Sequence, residues 1–427
     1  MGLFSYDETY GRCEECNQIN TGPEWCNACN ATRLQKNFKY WTSGNGEIDK
    51  FIQDAQLSAN KFYRILEWIP YERFYDIEYI AKGGFGLVYK AKWTDGYIQS
   101  WNNDKQNWNR CHPLNKFVAL KSLNKSKDVT LKFIDEVTSH HKIYNISTRS
   151  IVTFYGITQD PETENYMMVL DYAENGSLRN YLDKNYNNLT WNDKILCLYC
   201  IATGLHHIHR NELIHRDLHI GNILKFRSDI CITDMGLCRP ANCESTKDNT
   251  YGVLPYMAPE ILRGQNYNKA ADIYSFGIIM YEVISGLSPF HDKSQDEALA
   301  IKICQGLRPS FNIKVPQLIM HTIKRCLDAN PLTRPNAHEL KSTIEKWNEN
   351  NAELNEQIIE AEEINNNLPI NTIISISLTS SHKMNTHSEA IYTSRLLNFN
   401  NLPEPKNSED YYNQYENISA DLQINIT

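Results

Sequence analysis

The stretch Ile80-Ala81-Lys82-Gly83-Gly84-Phe85-Gly86-Leu87-Val88-Tyr89 opens an ordered series of short motifs. Val118-Ala119-Leu120-Lys121 follows it, then His215-Arg216-Asp217-Leu218-His219-Ile220-Gly221-Asn222, Asp234-Met235-Gly236 and Ala258-Pro259-Glu260. Each is weak evidence alone. In this order and at these spacings they supply what phosphoryl transfer needs: a grip on a triphosphate, oxygen ligands for a metal, and a base beside an acceptor hydroxyl.

Working outward, alternating or apolar runs at 75–80, 87–93 and 117–123 predict strands. Apolar spacings near 3.6 at 191–209, 270–285, 296–305 and 318–326 predict helices. Strands first and helices afterwards imply an α+β chain with a small antiparallel sheet lobe carrying one helix, and a larger helical lobe. Four regions follow: a Cys- and Asn-rich segment 1–32, a linker 33–75 with two short helices near 48–57 and 62–69, a folded body 76–348, and a polar Asn-rich tail 349–427 expected to be largely disordered. Within the body, the connection 94–116 is longer than a hairpin loop and carries Trp101 and Trp108. It reads as an extra β-ribbon capping the small lobe, or as a docking surface, since exposed tryptophan is costly. The apolar spacing of Leu340, Ile344, Trp347, Leu354 and Ile358 predicts one helix over 337–363, either the last helix of the body or a coiled coil that dimerises the chain.

The 427 residues carry a net charge of −8, which argues against sequence-independent nucleic-acid binding. No apolar run is long enough for a membrane span, and the first residues lack the basic and apolar regions of a secretory signal. The expected setting is cytoplasmic, with the nucleus left open, and the scattered cysteines are read as free thiols.

Glycines 83, 84 and 86 let the backbone approach phosphate oxygens closely, with Ala81 and Phe85 in the same loop and Ile80 and Val88 flanking an adenine ring. Lys121, after Ala119, points toward the α- and β-phosphates and needs a carboxylate to hold it. Glu136 on the next helix is the candidate, with Asp135 the competitor. Asp217 is the candidate base, while Asn222 and Asp234 offer oxygen ligands for Mg2+. Asp272 is expected to anchor the Asp217 loop, and Glu260 and Arg334 to form a buried ion pair.

Cys13-x2-Cys16 and Cys26-x2-Cys29, nine residues apart, form a pattern that closes a tetrahedral thiolate site for structural Zn2+. So polar a segment has no core of its own, and the metal would supply the folding energy. The alternative is a set of unpaired thiols.

On these motifs, residues 76–348 resemble the eukaryotic protein kinase domain. Glu174-Asn175-Gly176-Ser177-Leu178 and the stretch Gly252 to Glu260 resemble the tyrosine-kinase-like group. The cysteine module and the Trp-bearing insert are similar to those of the expanded kinase families of mycorrhizal fungi. The resemblance implies an ATP- and magnesium-dependent Ser/Thr kinase acting on protein substrates. It also implies an interlobe hinge at Asp171 and Ala173, where adenine bonds the backbone, with Leu170 as gatekeeper and Leu224 beneath the ring. Arg216 would receive a phosphate from Ser245, Thr246, Thr250 or Tyr251. Four positions depart from the pattern: Ala81 for the first loop glycine, Met235 for phenylalanine, His219 for a lysine near the γ-phosphate, and Val253 for a threonine that supports the base. They leave open a pseudokinase scaffold or a zinc-dependent interaction protein.

Overall fold

The computed structural model describes residues 10–82, 86–111, 116–123, 131–143, 149–241, 250–349, 351–367, 387 and 390–407. The chain divides into two compact units, Met1–Tyr172 and Ala173–Thr427, and the division falls at the expected hinge.

The first unit contains helices α1 (Asn27–Asn37) and α2 (Gly46–Ser58), then strands β1 (Glu67–Trp68), β2 (Phe74–Lys82), β3 (Gly86–Trp93), β4 (Tyr97–Asn102), β5 (Asn107–Cys111) and β6 (Phe117–Leu123). Helix α3 (Leu131–Ile143) and strands β7 (Phe154–Gln159) and β8 (Tyr166–Asp171) complete it. Six strands form one sheet in the order β1-β7-β8-β6-β3-β2. Ala91, Trp93, Val118, Leu120, Met167 and Val169 build a shared core, as period-two strands half-buried on one face require. Helix α2 starts where the Asn45 side chain accepts from the Glu47 and Ile48 amides, and it buries Ile48, Ile52 and Ala55 at helical spacing.

The linker differs from expectation. Helix α1 begins inside the cysteine segment, with Cys26 at its N-cap, and runs past residue 32. The helix expected near 62–69 is a 3-10 turn at Phe62–Arg64 followed by β1. Pro70 disfavours helix at Ile69, and an open sheet edge offers the segment better hydrogen bonds. β1 pairs in parallel with β7, Glu67 opposite Gly156, so the otherwise antiparallel sheet gains one parallel edge pair. Gly156 is required there. Its φ is +156° and a Cβ would lie 2.0 Å from the Glu67 carbonyl oxygen.

The insert forms the hairpin β4–β5, with Trp101 opposite Trp108. Trp108 stacks on fully buried Trp25 of the cysteine segment, centroids 5.9 Å apart, and the Arg33 guanidinium lies 4.5 Å over Trp101. Trp25, Leu34, Ala59, Ile65 and Ile98 make a second small core. Insert, cysteine segment and linker therefore fold as one body.

The second unit contains α4 (Leu178–Asn185), α5 (Trp191–Arg210), β9 (Leu213–Ile214), β10 (Ile223–Lys225), β11 (Ile230–Ile232), β12 (Arg239–Pro240) and β13 (Thr250–Gly252). After these come α6 (Pro259–Leu262), α7 (Lys269–Ser285), α8 (Glu297–Cys304), α9 (Gln317–Cys326), α10 (Ala337–Asn348), α11 (Ala352–Asn366) and β14 (Arg395–Leu397). Helix starts are capped by side chains: a Thr190–Asp193 capping box on α5, Asn268 on α7, Asp296 on α8 and Asn336 on α10. Helix α7 is buried nearly all round and forms the centre of the unit.

The single helix expected over 337–363 is two helices. Asn351 caps α11 afresh by accepting from the Leu354 amide. That helix lies on its own unit, burying Leu354 and Ala361, with Gln357 accepting from the Leu318 amide at the start of α9. Of the tail, expected to be largely disordered, residues 390–407 are described and include β14, paired with β13. No helix among the described residues is long and apolar enough to cross a membrane.

Candidate active site

Lys121 lies mid-strand in β6, where alternation turns it to the face opposite Val118 and Leu120. Its Nζ meets Glu136 Oε1 of α3 at 2.7 Å, both side chains nearly buried, so Glu136 is the carboxylate partner expected from sequence. Leu170 pairs with Ala119 across β6 and β8. Asp171 accepts from Lys116 Nζ at 2.8 Å, and its amide donates to the Thr153 carbonyl. Ile80 and Ala81 lie near the end of β2, which Lys82 closes, with Ala81 opposite Val88, and Gly86 begins β3. Gly83, Gly84 and Phe85 lie outside the described residues.

In the second unit the loop between β9 and β10 holds Asp217. Asp272, buried on α7, accepts from the His215 and Arg216 amides at 2.8 and 3.0 Å and contacts His209 Nε2 at 2.9 Å. Burial pushes its carboxyl upward, but the His209 hydrogen bond and the neighbouring histidines hold it below the ordinary value. One carboxylate thus fixes the loop backbone, including Arg216 at φ +70°. His215 accepts the Asp217 amide at Nδ1, so its proton sits on Nε2, 3.1 Å from the Thr233 carbonyl oxygen.

Asn222 donates its amide to the Asp217 carbonyl at 3.0 Å, which leaves the side-chain oxygen as a hard ligand. Asp234 has φ +65°, a strained conformation that acidic residues tolerate. Met235 behind it is buried and takes Cys238 Sγ at 3.6 Å, so it fills the apolar plug position. Leu224 in β10 pairs with Cys231 and bridges to Ser177. Ala173 is buried just after the unit boundary. The Asp234 carboxylate and the Asn222 amide oxygen are hard oxygen donors of the kind that suit magnesium.

Asp217 is buried, and burial raises its carboxyl to about 7, with the Asp234 charge adding to the rise and the Ser394 hydrogen bond opposing it. His219 is pushed down to about 4 by burial and is neutral near pH 7. It accepts the Gly221 amide at Nδ1 and turns Nε2 toward Asp217 at 3.8 Å. Val253 is buried and offers no hydroxyl. The residue sequence reasoning missed is Ser394, whose hydroxyl donates to Asp217 Oδ2 at 2.5 Å. Nothing local distinguishes it from the other tail serines; β14 pairing places it. The Arg216 guanidinium lies 4.4 Å over Tyr267, which donates to the Tyr251 carbonyl. Of the suggested acceptors for Arg216, Thr250 and Tyr251 are in β13, while Ser245 and Thr246 fall outside the described residues.

The buried pair is formed by Arg334 and Glu260, bidentate at 2.7 and 2.8 Å.

The four N-terminal cysteines converge, all Sγ atoms lying within 4.8 Å of one another, with Cys13–Cys29 at 3.8 Å and Cys16–Cys26 at 3.5 Å. Zn–S bonds of about 2.3 Å in a tetrahedron require sulfurs about 3.8 Å apart, so the set fits zinc. Two turns aim them: the Cys13 carbonyl accepts the Asn17 amide at positive φ, and the Gly22–Trp25 bridge delivers Cys26 to the α1 N-cap. Among the described residues no other group of three or more histidine, cysteine and acidic side chains converges in this way, and His209 is engaged by Asp272.

The family model described as protein tyrosine and serine/threonine kinase matches residues 76–344. A Dictyostelium discoideum protein carrying the name probable serine/threonine-protein kinase is 32% identical over 278 residues, covering 63% of this chain and 15% of its own length. A serine/threonine/tyrosine-protein kinase of Arabidopsis thaliana is 30% identical over 203 residues, 47% of this chain and 51% of that protein. Mitogen-activated protein kinase kinase kinase 7 of Bos taurus is 28% identical over 286 residues, 64% of this chain and 44% of that protein. The chain spans well under two thirds of the length of each of these relatives.

Proposed function

The chain belongs to the protein tyrosine and serine/threonine kinase family, and from that premise we propose that it transfers the γ-phosphate of ATP to serine or threonine hydroxyls of protein substrates. One observation carries the choice of acceptor: a serine hydroxyl donates to the buried Asp217 carboxylate at 2.5 Å, the contact a substrate alcohol makes with a general base. In this reading Asp217 orients the acceptor hydroxyl and takes its proton. Lys121, held by Glu136, holds the phosphates of the nucleotide. Asn222 and Asp234 carry magnesium, which when bound neutralises phosphate charge.

The nucleotide contacts Ile80, Ala81, Gly83, Gly84, Phe85, Gly86, Val88, Ala119, Asp171, Ala173 and Leu224 come into the reading from the family resemblance. So do the boundaries 76–348 for the kinase domain and kinship with the tyrosine-kinase-like kinases of mycorrhizal fungi. The paired cysteine module and Trp insert favour that kinship. A structural zinc on Cys13, Cys16, Cys26 and Cys29 belongs to the same reading, and the convergence of their sulfurs favours it. So does a cytoplasmic setting. For a dimer through the C-terminal helix, Ile359 is the exposed apolar residue of α11, since Leu354 and Ala361 are buried in their own unit.

The test is transfer of radiolabelled γ-phosphate to casein by the purified chain with magnesium, beside Asp217→Asn, followed by phosphoamino-acid analysis. Phosphoserine or phosphothreonine that disappears in the variant is the expected result. Phosphotyrosine would overturn the acceptor choice. Nucleotide binding without transfer by a folded protein would move the chain to the scaffold reading, with neutral His219 as the physical reason.

A further inference from the structure

The acceptor position of the second unit is filled by its own chain. β14 lies antiparallel to β13 in the register Thr250↔Leu397, Tyr251↔Leu396, Gly252↔Arg395. An extended segment added to an existing strand is a general mode of peptide recognition: main-chain bonds give affinity and alternate side chains enter pockets. The residue before the strand is Ser394. Its hydroxyl donates to Asp217 Oδ2 at 2.5 Å and lies 3.5 Å from His219 Nε2. Among the described side chains of the segment, the one hydrogen-bonded to the carboxylate is Ser394, and a serine hydroxyl can accept phosphate.

The segment is held on both sides of that serine. Upstream, Tyr392 donates to the Pro289 carbonyl at 3.0 Å, and the His387 amide donates to the His291 carbonyl at 2.8 Å. Downstream, the Arg395 guanidinium donates to the Gln295 carbonyl, and Leu397 and Leu402 are buried. Arg263 pairs with Glu404, and the Lys406 amide donates to the Cys304 carbonyl at 3.0 Å. A polar tail with two buried leucines, a strand pairing and an ion pair follows a built groove.

We propose that residues 390–407 are a strap that occupies the protein-substrate groove of their own kinase unit and presents Ser394 as an intramolecular phosphoacceptor. The inference rests on the kinase reading above. In the step, Ser394 Oγ bonds to the γ-phosphorus while the bond from that phosphorus to the β,γ-bridging oxygen breaks. ADP leaves with the electron pair, and the hydroxyl proton passes to Asp217 and then to solvent. The product sets a dianionic phosphate beside Asp217 and Asp234. Like charges in a buried site repel, so phosphorylation expels the strap and opens the groove to other proteins.

The experiment incubates the full chain with ATP and magnesium, maps phosphosites by mass spectrometry across a wide range of protein concentrations, and follows casein phosphorylation in parallel. The expected result is phosphate on Ser394 with a first-order rate constant independent of protein concentration, absent in Asp217→Asn, and a lag in casein labelling. Leu397→Asp, and separately the surface change Glu404→Arg, should slow Ser394 labelling and shorten the lag. Labelled casein with no phosphate on Ser394 would overturn the strap while leaving the kinase reading intact. A rate constant rising with protein concentration, or Ser394 labelling unchanged in both strap variants, would also overturn it. Absence of label on casein and on every residue of the chain would refute the parent reading, and this one with it.

Discussion

Replacing Glu136 by Gln removes one charge from the site and little else. Glu136 Oε1 accepts from Lys121 Nζ at 2.7 Å, with the carboxylate side chain 3% exposed and the lysine 10% exposed. At that burial neither partner is served by bulk water, so the bond is charge-assisted and worth roughly twice a neutral one. Glutamine keeps the acceptor oxygen and the shape. Taking about 1.5–3 kcal/mol for a bond to a charged group and about 1 for its neutral counterpart, the variant loses about 0.5–2 kcal/mol of hold on Lys121. If that hold positions the lysine only when the transferring phosphoryl develops charge, kcat/KM falls by roughly 2- to 30-fold. Lys121→Met removes the group itself and should abolish most transfer. The assay is steady-state phosphorylation of casein, with thermal unfolding run beside it to show that Glu136→Gln stays folded. A folded Glu136→Gln with wild-type kcat/KM would refute the reasoning, most sharply if Asp135→Asn were the impaired variant.

Zinc should copurify at about one ion per chain, since structural thiolate sites bind with about 10–16 kcal/mol. Chelation should expose Trp25, seen as a red-shifted emission absent in Trp25→Phe; metal-free protein with native Trp25 emission would discard the site. Arg334→Met leaves Glu260 buried without its cation and should cost about 3–5 kcal/mol in urea unfolding of the second unit. Glu260→Met in the same chain should return part of it, whereas strictly additive costs would contradict an energetically coupled pair. His207 is held at about 4 by burial and by the nearby His206, Arg210 and Lys341 charges. The folded state refuses a proton that the unfolded chain accepts near 6.5, so stability present above about pH 6.5 is lost as pH falls toward 4. His207→Gln should flatten that decline in melting temperature, and an unchanged slope would assign it to other groups.

Much of this was legible in the sequence because the relevant signals are local. The motif strands and the long helices lie within a residue or two of their apolar periodicities, and asparagine, threonine and aspartate mark the helix starts where they can accept an amide. The cysteine spacing likewise reports a closed loop. What was not legible depends on partners far along the chain. The segment 62–69 carries enough apolar residues for a helix, yet β1 forms because Gly156 leaves room for the Glu67 backbone at the sheet edge. Trp108 of the insert reads as a costly exposed tryptophan until its distant partner, Trp25 of the cysteine segment, is seen stacked on it. Composition made the tail 349–427 read as largely disordered, because its polar average hides Leu397 and Leu402. Two well-placed apolar residues and a strand to pair with suffice to order a short segment whose mean says otherwise.

The departures around Asp217 are best weighed together. Met235 fills its pocket and changes little. His219 and Val253 both act on the base: a lysine would place a full positive charge near Asp217, and a threonine a hydroxyl. Here the histidine is neutral and the valine buried, so neither supplies a charge or a hydroxyl, and burial lifts the carboxyl to about 7. What favours its ionised form is the hydrogen bond from the hydroxyl of Ser394, the neighbouring His215 and the contact with Asn222. In such a site the acceptor alcohol is also the group that completes the base, because the bond that orients the hydroxyl stabilises the charge that will take its proton. Water could make a similar bond but has no strand to hold it there. A tethered serine does, which gives this chain a physical reason to keep its own tail at the acceptor position until another hydroxyl on an extended segment can compete for β13.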